Sequence, residues 1–393
     1  MSSSVCVNTF KKWKNAKLLE SLCLMPPRIG QVRRGISPAP TETLLQRSEG
    51  VPVLLPVPLF WDAPPWHTWQ PIIAQSIFLA MQSRGVLVSA LESELGRTLA
   101  TSDANTASSA ADGSSPASDP PDSELGIPRL LPYRNERYGL SDVDFDHAMV
   151  VDMHLSPLRD ASGRFAYSAA RLGRWEATPE DQPLSGGGWI PAMTLPPDVS
   201  ELKTLSSKVE QLRVLAPHAA VVISVTPEWI DEHLNDLIAA GPDAILIRLG
   251  QIRMTGIAFA QFTQRLSHRV ESIKKIPIWL VPPKSLTKKP LGVSDSIKTI
   301  ALGVSAIAID SWLDGVIDEF NEISHPASFV SDPMQTVTIE VEEILQRRFD
   351  PDLENFLGLF STLVHDRPSD LLGTFDPEIA EILNLPCVGR LST

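Results

Sequence analysis

The chain has 393 residues, 43% hydrophobic and 21% charged, a composition typical of globular proteins and a length that fits one α/β barrel with insertions. Its formal net charge of −13 argues against nucleic-acid binding, because neutralising phosphates requires clustered Lys and Arg. No run of about 18 apolar residues is present, so the sequence predicts no membrane span.

The three cysteines, Cys6, Cys23 and Cys387, lie far apart and in no metal-binding spacing. This spacing excludes a thiolate metal site and an iron–sulfur cluster, and it gives no sign of a disulfide framework. We therefore expect a cytoplasmic protein without a metal site.

Residues 1–50 carry no regular apolar period, and their stretch LLESLCLM is too short for a secretory signal. The sequence predicts a disordered, weakly structured leader, with a binding arm as the alternative. The basic residues of this leader are Lys11, Lys12, Lys14, Lys17, Arg28, Arg33 and Arg34.

The globular part opens with the strand-like run VPVLLPVPLF at 51–60. WDAPPWHTW follows at 61–69, where aromatic packing is the favoured interpretation and a pocket cap is the alternative. Apolar residues at helical spacing predict a helix over 72–85 that ends at Gly85. VLVSAL at 86–91 predicts a strand.

Residues 101–126 are rich in Ser, Ala, Asp and Pro and have no apolar period. Such a segment cannot bury enough apolar surface to offset its ordering entropy, so it predicts a mobile, low-complexity insertion. AMVVDMHL at 148–155 then predicts a buried strand. The loop-rich stretch 157–198 contains Gly186-Gly187-Gly188, which is consistent with a flexible linker or a backbone anion nest.

Strand and helix patterns alternate without interruption from residue 199. Strand runs without polar alternation, separated by helices, predict a parallel sheet buried on both faces. The pattern favours a closed (β/α)8 TIM barrel over 51–325 with a helical C-terminal tail over 326–393, and an open doubly wound sheet is the alternative. The predicted helices span 199–217, 226–241, 256–275 and 294–303, and the predicted strands are AAVVISV (219–225), DAILIRL (243–249), IPIWLV (276–281) and VSAIAID (304–310).

Five segments occur in the same order as in one known family. They begin with RYGLSDVDFDHAMVVDMHLS, LPPDVSELKTLSSKVEQLRVLAP and DAILIRLGQIRMTGIAF, and they end with IPIWLVPPKSLTKKPLGVSDSIKTIALGVSAIAID and LENFLGLFSTLVHDRPSDLLGTF. Over about residues 70–385 the chain resembles the FMN-binding barrel of the glutamate synthase family. The resemblance implies a TIM barrel, FMN, and formation of glutamate from 2-oxoglutarate and ammonia.

The positions that carry chemistry in that family differ here. The family's Asp-Gly-Gly loop is replaced by Ile252-Arg253-Met254, and only Thr255 and Gly256 match. The family's two strand-end lysines correspond to His154 and Ser224. The Gly-Gly that donates N–H groups to phosphate becomes Pro282-Pro283, and proline has no N–H.

Two further departures concern the family's glutamate and its cysteines. The glycine-rich turn with a central Glu is reduced to Glu92, and ISHPASF at 323–329 replaces the cysteine cluster. The weak catalytic candidates are therefore His154, Ser224 and Glu92. The candidate cofactor-binding residues are Thr255, Gly256, Lys284 and Asp295.

Each candidate also has a structural interpretation. His154 fits a buried or surface histidine, and Asp295 with Lys298 fits a helix N-terminal charge beside a solvated lysine. Lys284, Lys288 and Lys289 fit a solvated loop, with anion binding as the alternative.

Loss across the site, with apolar strands and helices retained, favours a pseudoenzyme that acts as a binding or accessory protein. We expect no FMN and no iron–sulfur cluster, and an unknown protein partner or small anionic ligand. One alternative is a divergent, active FMN-dependent oxidoreductase in glutamate biosynthesis. Another is a barrel enzyme that holds a different phosphorylated ligand through Lys284, Lys288 and Lys289.

Overall fold

The computed structural model describes residues 21–24, 43–45, 52–95, 129–134, 140–155, 166–168, 189–191, 195–196, 199, 201–250, 254–274, 276–283, 291–323, 332–362 and 372–388. The insertion predicted over 101–126, the Gly186-Gly187-Gly188 triplet and the loop with Lys284, Lys288 and Lys289 lie outside these ranges.

Eight parallel strands close into a barrel, in the order of the chain. Closure is complete because the last strand pairs with the first, through Ile307 with Leu59 and Ala308 with Phe60. This confirms the (β/α)8 barrel and excludes the open sheet. The strands are β1 (Leu59–Trp61), β2 (Leu87–Ser89), β3 (Arg129–Arg134), β4 (Val150–His154), β5 (Ala220–Val225), β6 (Ala244–Arg248), β7 (Ile278–Val281) and β8 (Ala306–Ala308).

Helices follow the strands and continue after the barrel. The predicted alternation from residue 199 onward is confirmed, with β5 to β8 as neighbours in the barrel. The helices are α1 (Pro71–Ser83), α2 (Glu92–Leu95), α3 (Asp142–Asp146), α4 (Leu205–Leu215), α5 (Pro227–Ala239), α6 (Gly256–Ile273), α7 (Val293–Ala301), α8 (Asp314–Phe320), α9 (Pro333–Arg348), α10 (Asp350–Thr362) and α11 (Pro377–Leu383).

The barrel interior is an apolar cluster separate from the layer between strands and helices. Alternate residues of each strand point inward, as the pleat requires. A hairpin of Thr43–Leu45 and Val53–Leu55 adds its apolar side chains to this cluster and closes the end at which the strands begin. The inward barrel residues are Phe60, Leu87, Leu130, Val150, Ala220, Val222, Ala244, Leu246, Trp279, Ala306 and Ala308.

Two early strands differ from the prediction. The run VPVLLPVPLF is not one strand, because the bend at 56–58 divides it into the hairpin strand Val53–Leu55 and the barrel strand β1. Strand β3 was missed, because RLLPYR contains Pro132 and two charged residues and follows the low-complexity segment. Its partners β2 and β4 supply the hydrogen bonds that fix it.

The leader predicted over 1–50 contains ordered segments. Strand Leu22–Leu24 pairs with Leu372–Thr374, and Thr43–Leu45 pairs with Val53–Leu55. Local composition did not indicate the first strand, because its partner lies about 350 residues later in the chain. Residues 22–24 and 43–45 are therefore short strands within the stretch for which the sequence predicted a leader.

The tail after residue 326 is mainly helical in its described part. Helix α9 packs on α1, and Arg84 at the end of α1 joins the two regions. Its guanidinium binds Glu342 of α9 at 2.8 Å and Asp350 at the start of α10 at 2.5 Å. Among the described helices, none is long and apolar enough to cross a membrane.

Candidate functional site

A polar layer lies above the apolar interior, at the end of the barrel where the strands end. Continuing the inward alternation by two residues leads from Phe60 to Asp62, from Val150 to Asp152 and from Leu246 to Arg248. Ligands of TIM barrels bind at this end, in the loops that follow the strands. We call the set Asp62, Asp152, Ser224, Arg248 and Asp310 the mouth cluster.

Arg248 is the centre of the mouth cluster. Its Nη1 donates to Oδ2 of Asp62, and its Nη2 donates to Oδ2 of Asp152. Its Nε donates to the hydroxyl of Ser224 at 3.2 Å. One guanidinium therefore connects the ends of β1, β4, β5 and β6 across the barrel.

Burial makes these ion pairs mutually dependent. The side chains of Arg248, Asp62 and Asp152 are 18%, 8% and 1% exposed. Burial by itself lowers the pKa of Arg248, but attraction to the two carboxylates and their hydrogen bonds raise it above its ordinary value. The guanidinium therefore remains charged, and removing it would leave two buried carboxylates without a counter-charge.

Asp310 adds a third carboxylate beside Asp62. It accepts the backbone N–H of Asp62 at 3.2 Å and that of Ala63 at 2.9 Å, which ties the segment after β8 to the segment after β1. Burial and the charge of Asp62 raise the pKa of Asp310 to about 7. Burial is also the main cause of a raised pKa at Asp152. A carboxyl group that titrates near neutral pH can exchange protons with a ligand.

Two of the predicted candidates belong to this end of the barrel. Ser224 is fully buried and is a member of the mouth cluster. His154 is half-buried at the end of β4, in register with Ser224 on one side and Arg134 on the other. The structure therefore brings these two predicted candidates together on neighbouring strands.

Glu92 lies elsewhere. It binds Nη1 of Arg129 at 2.8 Å, and its backbone N–H donates to Asp144 at 2.7 Å. Arg129 also donates to the backbone carbonyl of Asp144 at 2.9 Å. These three buried residues join α2, β3 and α3, so the contacts of Glu92 are those of a structural ion pair.

The predicted cofactor-binding residues have structural contacts. Thr255 caps α6, and its hydroxyl accepts the N–H of Ala258 at 3.3 Å, while Gly256 is the first residue of that helix. Asp295 lies in the first turn of α7, 3.9 Å from the ammonium of Lys298. Lys284 is outside the described residues.

Four members of the mouth cluster were not predicted from the sequence. Asp62, Asp152, Arg248 and Asp310 each lie in or directly after an apolar strand run. A charged residue in phase with the inward positions of a strand is a recognisable signal. Within the described residues, no group of three or more His, Cys, Asp or Glu could hold a metal ion.

No family model matches the sequence, and no curated protein matches it. The fold is similar to a solved structure of mandelate oxidase with 3,3-difluoro-2-hydroxy-3-phenylpropionic acid, at 12% identity and a TM-score of 0.43, over 87% of this chain and 83% of that one. It is also similar to the aldolase QR15, at 13% identity and a TM-score of 0.33, over 63% and 87%. Tryptophan synthase from M. tuberculosis follows, at 14% identity and a TM-score of 0.32, over 73% and 92%. At these identities the likenesses concern the barrel alone.

Proposed function

We propose that this chain is a glutamate-synthase-like barrel in which the mouth binds a small molecule without flavin chemistry, so that the protein acts as a binding or accessory protein. One observation carries the proposal: Arg248 is bound by both Asp62 and Asp152 across the mouth. The inward positions at the strand ends are thereby occupied by contacts within the chain.

The charge of the mouth cluster disfavours an anionic cofactor. Asp62, Asp152 and Asp310 face the single guanidinium of Arg248. A phosphate group needs N–H or cationic donors, and reduced flavin is stabilised by a nearby positive charge. Carboxylates repel both, and Ser224 supplies no charge.

The segment after β7 gives independent support. In the family to which the chain is similar, a Gly-Gly pair supplies N–H groups to the phosphate. Pro282 and Pro283 follow β7 directly, and neither has an N–H to donate. Lost hydrogen bonds to a charged phosphate cost about 1.5–3 kcal/mol each, which amounts to orders of magnitude in affinity.

Titration of the purified chain with FMN, followed by flavin fluorescence, tests the proposal. We expect no saturable binding and no formation of glutamate from 2-oxoglutarate and ammonia. A dissociation constant of about 1–10 μM or lower, weakened by Arg248→Met and not by the surface control Glu319→Gln, would contradict it. Such a result would favour the divergent, active FMN-dependent oxidoreductase.

The same purified chain also tests the third alternative, a barrel enzyme that holds another phosphorylated ligand. Inorganic phosphate or a sugar phosphate that binds with micromolar affinity, while FMN does not, would favour a barrel enzyme with another phosphorylated ligand. Replacing Lys284, Lys288 and Lys289 together by Gln would then abolish binding. We expect no such binding, because the carboxylates of the mouth cluster remain close to any anion at this end of the barrel.

We further propose a cytoplasmic location and no nucleic-acid partner. The support for the location is the cysteine usage, since Cys23 and Cys387 are free thiols. The net charge of −13 disfavours nucleic acid. An accessory role implies a protein partner, which co-purification from the native source would test.

A further inference from the structure

Two carboxylate oxygens of the mouth cluster lack hydrogen-bond donors. Oδ1 of Asp62 and Oδ1 of Asp152 are buried, and neither accepts a hydrogen bond from the residues that the structure describes. The side chain of Asp152 is 1% exposed and lies on the inward side of β4. Buried acceptors without a donor are costly and rare in folded proteins. Two of them at the ligand-binding end of a barrel therefore point to a donor that comes from outside the chain.

The charge count indicates the sign of that donor. Arg248 already serves Oδ2 of both Asp62 and Asp152, and Asp310 brings a third acidic group. The three acidic groups of the mouth cluster outnumber its one guanidinium, so the cluster attracts a further cation and repels an anion. The titratable and charged side chains at this end of the described barrel are Asp62, Arg134, Asp152, His154, Arg248 and Asp310.

We propose that the mouth cluster is a binding site for a small primary alkylammonium ion, whose N–H groups donate to Oδ1 of Asp62 and Oδ1 of Asp152. This rests on the proposed function, because a flavin in the mouth would exclude such a ligand. A primary ammonium group has three N–H donors on one charged atom, so it can serve two carboxylates at once. A quaternary ammonium ion has the charge but no N–H.

The ligand must approach from the partly exposed side of the cluster. Both Oδ1 atoms are closed to solvent in this conformation, while Arg248 is 18% exposed. Binding therefore requires the Arg248 side chain to move aside, with loss of part of its contact to Asp62 or Asp152. Arg248 keeps its other carboxylate partner, so the ligand adds its positive charge to that of the guanidinium.

The test compares two cations of similar size by isothermal titration at constant ionic strength and constant pH. The probes are n-butylammonium chloride, which has three N–H donors, and tetramethylammonium chloride, which has none. The variants are Asp152→Asn and Asp62→Asn, each of which removes one charge and keeps the shape of the side chain. Glu319→Gln is the matched control, since Glu319 also binds two arginines, Arg347 and Arg348, but on the surface.

We expect wild type to bind n-butylammonium and not tetramethylammonium, with affinity about tenfold lower or worse in each Asn variant and unchanged in Glu319→Gln. Equal binding of the two cations, unchanged affinity in the Asn variants, or no binding to wild type would each overturn the site. If Asp152→Asn does not fold, Asp62→Asn and the comparison of cations decide. Saturable FMN binding refutes the proposed function itself. If neither n-butylammonium nor tetramethylammonium binds, only the alkylammonium site is refuted.

Discussion

At the scale of single residues, the mouth cluster depends on Arg248. Its guanidinium is the shared partner of Asp62, Asp152 and Ser224. Removing one member of a buried ion pair leaves an uncompensated charge, which costs far more than the pair contributes when intact. The cluster therefore behaves as one unit, and its residues do not contribute additively.

We predict that Arg248→Met lowers the free energy of unfolding by about 3–5 kcal/mol. The reason is that Asp62 and Asp152 remain buried without a counter-charge. Urea denaturation followed by circular dichroism measures the change. Arg347→Met is the control, because this surface arginine is 61% exposed and its ion pair contributes under about 1 kcal/mol. Equal losses in the two variants would contradict a buried role for Arg248.

Asp310 gives a prediction for pH. Because its folded pKa is raised to about 7, above the unfolded value of about 4, the folded chain holds this proton more tightly than the unfolded chain. Its contribution to stability is therefore fully present below about pH 4 and is lost as the pH rises to about 7.

Asp310→Asn removes this titration. We expect the unfolding free energy of wild type, relative to that of Asp310→Asn, to fall as the pH rises from about 4 to about 7 and to be constant above that range. Urea denaturation over a pH series measures it. Carboxyl groups far from Asp310 titrate alike in both proteins, so they cancel in the difference. A difference that does not vary with pH would show that Asp310 keeps an ordinary pKa.

At the scale of elements, the ends of helices depend on backbone conformations that only glycine adopts easily. Gly85 follows α1 with φ at 75°, and Gly241 follows α5 with φ at 77°. The sequence predicted that the first helix ends at Gly85, and the left-handed φ of this glycine explains why. The two sites differ in their surroundings, since a Cβ at Gly85 would lie 2.8 Å from Cβ of Pro56, whereas a Cβ at Gly241 meets nothing within 4 Å.

We predict that Gly241→Ala lowers the free energy of unfolding by about 1 kcal/mol, the cost of the left-handed backbone alone. Gly85→Ala should cost about 2–3 kcal/mol, because the close approach to Pro56 adds steric strain. Thermal and urea denaturation of the two variants measure the difference. If both lose the same amount, the contact between Gly85 and the Pro56 segment is not tight.

At the scale of the whole molecule, the two ends of the described chain are tied to each other. Strand Leu22–Leu24 pairs with Leu372–Thr374, and the hydroxyl of Thr374 donates to the carbonyl of Ser21 at 2.7 Å. Leu22 is 4% exposed and belongs to the main hydrophobic core. The early strand is therefore part of the folded unit.

We predict that Leu22→Ala lowers the free energy of unfolding by about 2 kcal/mol or more, because it creates a cavity between the early strand and the barrel. Leu54→Ala is the control, since Leu54 also lies in an early strand, Val53–Leu55, but is 42% exposed. Its substitution should lower the free energy of unfolding by less than about 1 kcal/mol. Chemical denaturation measures both. Equal, small losses would show that the early strand is detached in solution.

Much of this fold was predictable from the sequence, and most of the mouth cluster was not. The strands β5 to β8 and the helices between them were predicted because their apolar runs and helical periods are local. Strand β3 was missed because neighbouring strands hold it in spite of Pro132. Ser224 and His154 were predicted through the resemblance to the glutamate synthase barrel. Asp62, Asp152 and Arg248 were not predicted, because each lies inside or beside an apolar strand.

The sequence by itself determined a parallel sheet covered by helices, because the alternation of apolar strands with amphipathic helices allows few other arrangements. Closure of that sheet into a barrel was decided by the pairing of β8 with β1 in the tertiary structure. Only the tertiary structure decided which polar residues meet. Asp62, Asp152, Arg248 and Asp310 are separated by up to 248 residues along the chain, yet barrel closure brings the ends of their strands to one mouth. The physical reason is that secondary structure follows from neighbours in sequence, whereas an ion pair follows from neighbours in space. The ion-pair partners of a charged residue in a strand are therefore fixed only when the barrel closes.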